Sequence, residues 1–123
     1  MSHIVTIQTK LRDPTAIAAA CTRLGLPAPT QGTAKLFSGI ATGLLVQLPD
    51  WNFPIVIDTQ TGTVSMDNFG GRWGKQDEFD HFLQAYAVEV TKAQARKKGY
   101  QVNETALQDG SIKLNIVEGP GMS

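Results

Sequence analysis

The sequence is short of the side chains on which chemistry is usually built. It has one cysteine, Cys21, so no disulfide can close within the chain and the disulfide-stapled secreted class is excluded. Its two histidines, His3 and His81, are with Cys21 the only imidazole or thiol ligands, and they are scattered, whereas zinc ligands usually come in short-spaced pairs. Neither sign of charge is in excess, since 11 Lys and Arg balance 11 Asp and Glu. That balance lacks the electrostatic footprint of a dedicated nucleic-acid or membrane-surface binder, and it tolerates self-association because little long-range repulsion opposes it. Long apolar runs are also missing. The most apolar stretch, Gly39 to Leu48, is interrupted by Thr42 and Gln47 and falls far short of the ~20 residues of a membrane span. The opening Met1-Ser2-His3-Ile4-Val5-Thr6 has neither a basic segment nor a continuous apolar one, so a cytoplasmic protein without a signal peptide is expected.

What is present suffices for one packed domain. The chain has 123 residues, 41% of them apolar, which is a normal globular share. Residues 1–118 read as a single domain and 119–123 as a flexible tail.

Alternation from His3 to Leu11, with Val5, Ile7 and Leu11 on one side, predicts a half-buried strand. Asp13-Pro14 supplies a helix cap and a first-turn proline; Ile17, Ala20, Cys21 and Leu24 recur at helical spacing, and Gly25 ends the element. Leu26 to Gly32, with Pro27 and Pro29, reads as a loop. Lys35–Ile40 and Leu44–Leu48 read as strands, with Gly39 and Gly43 at bends. Phe53–Thr59 and Val64–Asn68 follow, and a two-residue Thr61-Gly62 turn would set Ile57 opposite Met66.

The clearest helix carries Phe79, Phe82, Leu83, Tyr86, Ala87, Val90 and Ala93 on one stripe. It has Asp77, Glu78 and Asp80 in its first turn and Arg96, Lys97 and Lys98 in its last, before Gly99. A closing hairpin, Tyr100–Ala106 and Ser111–Val117, turns through Gln108-Asp109-Gly110. A three-residue loop with Gly110 left-handed aligns Tyr100, Val102 and Ala106 with Ile112, Leu114 and Ile116. The order β-α-β-β-β-β-α-β-β predicts an α+β fold: a mainly antiparallel sheet with both helices on one face.

Three stretches carry a family likeness: Met1-Ser2-His3-Ile4 with Thr9; Tyr86-Ala87 through Lys98-Gly99-Tyr100-Gln101-Val102; and Gln108-Asp109-Gly110-Ser111-Ile112-Lys113-Leu114. Together they resemble the domain-of-unknown-function 1257 family, which includes a hypothetical plastid and cyanobacterial protein. The likeness spans nearly the whole chain and thins between Leu26 and Gly74. There this chain has Leu44 to Pro49, Trp51, Phe53 and Pro54 where the family is more polar. The family has no assigned reaction, cofactor or catalytic residue, so the resemblance implies none.

No Ser-His-Asp, Cys-His or paired-carboxylate arrangement stands at a usable spacing, so no catalytic residue, cofactor or metal is assigned. Asp77 and His81 sit at i, i+4 and read as a solvated surface pair. Gly70-Gly71-Arg72-Trp73-Gly74-Lys75 precedes a helix in the manner of a phosphate loop, yet it matches no established spacing and three carboxylates follow it. It reads as a loop with Trp73 packed on the domain.

Trp51 and Phe53 lie at an expected hairpin tip, either as anchors for a protein partner or folded back as a small satellite core. Arg72, Trp73 and Tyr86 mark an expected ligand pocket between the sheet and the long helix. Lys92, Arg96, Lys97 and Lys98 form the one basic cluster, which compensates the helix dipole. The leading expectation is a non-catalytic protein-interaction or assembly module, self-associating through a sheet edge or the Trp51 and Phe53 region. A small-molecule-binding protein or enzyme is the alternative, and nucleic-acid binding a weaker one.

Overall fold

The computed structural model describes residues 5–8, 11–37, 39–67 and 72–117, with 5–8 as backbone alone. The expected strand of His3–Leu11 is described only as β1, Val5–Gln8. Helix α1, Pro14–Leu24, starts and stops where its local signals place it. Asp13 Oδ1 accepts from the backbone N–H of Thr15 and Ala16, and Gly25 closes the helix at φ 71°. The buried stripe is Ala16, Ile17, Ala20 and Cys21, while Leu24 stays 38% exposed.

Strands β2 (Thr30–Leu36) and β3 (Gly39–Val46) form a hairpin that differs from expectation at both ends. Its turn falls after Leu36, which pairs with Gly39, so the expected strand across Lys35–Ile40 is in fact a reversal. Strand β2 also begins at Thr30, inside the expected loop, because partners on β3 satisfy its backbone from Thr30 onward.

Strands β4 (Ile55–Asp58) and β5 (Thr63–Met66) pair with Ile57 opposite Val64, not Met66. The turn is longer than expected because its own hydrogen bonds stabilise four residues. Asp58 Oδ1 accepts from Gln60 N–H at 3.0 Å, Gly62 N–H donates to Asp58 O at 2.7 Å, and Gly62 sits at φ 82°. The shift is two residues, so the apolar side chains keep their face.

The architecture is α+β. Five antiparallel strands run β1-β5-β4-β3-β2. Helix α2, Gln76–Lys97, and α1 pack on one face, where Ile17, Ala20, Cys21, Phe79, Phe82 and Ala85 meet Val46, Ile55, Ile57, Val64 and Met66. On α2 the buried stripe is broader than its spacing suggested. Ala85, Val88 and Ala95 are buried and Ala87 is exposed, because α2 meets α1, the sheet and the last hairpin on different sides.

The opposite sheet face carries a smaller cluster of Ala34, Leu36 and Val56 with Ala41, Leu45 and Phe53. β3 parts from β4 beyond the Leu44–Ile57 pair, at Gly43, where an added Cβ would stand 2.4 Å from the Ile57 carbonyl oxygen. From there β2 and β3 continue as a two-stranded arm.

Strands β6 (Gln101–Ala106) and β7 (Ile112–Val117) follow the expected register, Val102 opposite Ile116 and Ala106 opposite Ile112, with Gly110 at φ 89°. They form a separate two-stranded sheet, not an extension of the main one. The expected tail, 119–123, lies outside the described residues.

Two substitutions test this packing by urea unfolding. Phe82→Ala should cost about 3–5 kcal/mol, the usual range for emptying a buried aromatic site. Gly43→Ala should cost about 1–3 kcal/mol by overpacking the backbone contact, and an unshifted midpoint would refute that contact.

Candidate functional site

The chain reverses after Pro49 with Asp50 left-handed at φ 59°, and this turns Trp51 inward. Trp51 is only 4% exposed and belongs to the main core. Its indole lies on Gly74, where a Cβ would come within 2.3 Å of the ring, and its Nε1 donates to Lys75 O at 3.1 Å. Trp51 as a partner anchor is therefore overturned. A tryptophan whose ring fills a core contact and whose N–H is satisfied has nothing left to present. Phe53 is half-buried against the second cluster, edge-on to Trp73 at 5.6 Å. It follows the satellite-core reading.

Trp73 and Tyr86 belong to different surroundings. Trp73 packs on the far side of the sheet against Phe53 and Phe37, the latter at 4.9 Å. Tyr86 borders the helix-side core, and its hydroxyl accepts from Arg12 N–H at 3.2 Å and Asp13 N–H at 3.1 Å. Arg72 is exposed. Among the described residues, the sheet and α2 meet through core side chains such as Phe79, Phe82, Ile55 and Ile57, and neither of the surface clefts at the end of α2 and beside β3 lies between Trp73 and Tyr86.

Two clefts do open at the surface. One of about 140 Å³ lies between Ala95 of α2, Lys98 just past its end, and Tyr100 and Ile116. The other, of about 400 Å³, lies where β3 and β4 part, between Gln31 and Thr42 on one side and Asp58 to Gln60 on the other. Its lining of carboxamides, hydroxyls and a single carboxylate offers no matched acid and base.

Sequence reasoning missed two outward-facing residues at the end of the β2–β3 arm. Phe37 is 64% exposed although one side of its ring rests on Trp73, and Ile40 is 71% exposed. The Ser38-Gly39 pair beside Phe37 was the available turn signal. Among the described residues β2 also has no strand on its outer side, and Lys35 is its one charge.

It missed a charge network too, which no local pattern foretells. The Arg23 guanidinium holds Glu104 through both carboxylate oxygens, at 2.8 and 2.9 Å, and Glu89 at 2.7 Å. Lys92 Nζ lies 2.6 Å from Glu104. Hydrogen bonds from Arg23 and then Lys92 lower the Glu104 carboxyl to about 2, and those from Glu104 and Glu89 raise Arg23. Lys92 is thus neutralised locally, and of the expected basic cluster Arg96, Lys97 and Lys98 stay exposed at the helix end.

The other sequence candidates stay apart. His81 is exposed, and nearby Asp80 Oδ1 accepts from Gln76 Nε2. His3, Gly70 and Gly71 lie outside the described residues. Cys21 is buried, and desolvation pushes its thiol pKa up, away from nucleophilic use. Among the described residues no group of three or more His, Cys, Asp or Glu is placed to hold a metal ion, and no helix is long and apolar enough to cross a membrane.

No family model matches the chain, and no curated protein or solved structure is a significant match. The likeness to the 1257 family rests on the residues quoted for it alone.

The Glu104 site makes a pH prediction. A carboxyl whose pKa is lower folded than unfolded stabilises the fold above the unfolded value, and that contribution fades as pH falls from 4.5 toward about 2. In an NMR titration the Glu104 carboxyl should have its midpoint near 2, and a midpoint at its ordinary 4.5 would refute the network.

Proposed function

We propose that the protein is a cytoplasmic, non-catalytic interaction or assembly module that associates through the β2–β3 arm. The observation that carries this reading is the presence of two exposed apolar side chains, Phe37 and Ile40, on the same arm as a strand with no outer neighbour among the described residues. Scattered exposed apolar residues are normal, but here Phe37 is backed by Trp73 and Phe53, which builds a supported aromatic platform. An edge strand offers unpaired N–H and C=O groups to a second chain, and β2 carries a single lysine to discourage that. A chain with zero formal net charge adds little repulsion between copies.

The resemblance to the 1257 family, which brings no reaction, accords with this reading. The ligand-binding alternative is weakened by the core side chains packed between α2 and the sheet, and the nucleic-acid one by the pairing of Lys92 with Glu104.

Light scattering with native mass spectrometry across a concentration series tests the proposal. The expected result is an oligomer that Phe37→Ser with Ile40→Lys converts to a monomer that still unfolds cooperatively. A wild-type protein that stays monomeric at high concentration and retains no partner protein would overturn it.

A further inference from the structure

Strands β6 and β7 are paired only with each other, and none of their described side chains is buried. Two strands alone are marginal in water, so this ribbon depends on what it lies against. By register Val102, Glu104, Ala106, Ile112, Leu114 and Ile116 share a face. That face is directed at the helices, since Glu104 reaches Arg23 of α1 and Lys92 of α2. It closes poorly: Ile116 remains 47% exposed, and the cleft of about 140 Å³ persists beside Ala95 and Tyr100. The described polar ties are those of Glu104 and one long bond, Gln84 Nε2 to Gly110 O at 3.4 Å. The link to α2 passes through Gly99 in the left-handed conformation at φ 78°.

We infer that the C-terminal ribbon is a separable strap, latched over α2 by the Glu104 carboxylate between Arg23 and Lys92, and released when salt screens that latch. The latch lies apart from the β2–β3 arm and does not depend on association through it. The latch residues are partly solvent-exposed, so mobile ions weaken their attraction, whereas salt does not loosen the apolar core beneath the main sheet. Release leaves the main sheet and both helices intact. It uncovers the apolar face of the ribbon and the side of α2 around Ala95.

Hydrogen exchange read by mass spectrometry on the full chain tests the strap. In dilute buffer, Glu104→Gln should speed exchange of the β6 and β7 amides about fivefold, the scale of one exposed ion-pair network, with β3, β4 and β5 unchanged. Wild type in about 1 M NaCl, where the Debye length is about 3 Å, should approach the variant, and the variant should respond little to the same salt. If the ribbon amides exchange at the rate of the core strands at every salt concentration, the ribbon is part of one cooperative unit and the inference is wrong. Should Glu104→Gln unfold the whole chain, the wild-type salt series decides alone: selective acceleration of the ribbon supports the strap, and none overturns it.

Discussion

The indole of Trp51 is wedged between the end of one loop and the start of a helix, and the position of α2 depends on it. The ring lies flat on Gly74, its N–H donates to Lys75 O, and Asn52 N–H donates to Trp73 O at 2.7 Å. Gln47 Nε2 bonds both Leu48 O and Trp51 O, which stiffens the loop from the other side. α2 has no side-chain cap at Lys75, so this tertiary contact places its first turn where a local signal would otherwise do so. With the helix start fixed, Phe79 comes to 6.5 Å from the indole and Phe82 drops onto the sheet. Gly74 is required for closeness, since any Cβ there would enter the ring.

Around that anchored core the molecule keeps two ribbons of different character. The β2–β3 arm is continuous with the sheet and departs at Gly43, where backbone meets backbone. Its inner side is buried through Ala34 and Leu36, so its outward apolar residues ride on a firm support. The β6–β7 ribbon has no buried side chain among its described residues, and Glu104 ties it by charge to Arg23 and Lys92. A chain with zero formal net charge thus uses opposite charges locally, joining α1, α2 and β6 through four side chains. Partly exposed ion pairs contribute modestly to stability, and they fix which surfaces meet more than how tightly.

Element type and order were legible because they follow short-range rules. Asp13-Pro14 and Gly25 bracket α1 through bonds within a few residues, and Gly110 sets the last hairpin through its own backbone angle. The β4–β5 turn was misread by two residues because Asp58 and Gly62 stabilise a longer loop than the bare Thr-Gly pair suggests. The site was far less legible. Trp51 and Trp73 look alike in sequence, each beside turn residues, yet one is core and the other supports an exposed ring. Their difference lies in which distant backbone each meets.

By itself, the sequence determined an α+β chain, two capped or dipole-matched helices and strands of the right parity. These depend on periodicity, turn chemistry and composition, all carried by neighbouring residues. Tertiary structure alone decided that Trp51 turns inward, that Phe37 and Ile40 face solvent, and that Arg23 meets Glu89 and Glu104. Those outcomes join residues 66 and 81 positions apart, or depend on a neighbour removing room for a Cβ. Such contacts arise from the closure of the whole chain, and no local pattern encodes them.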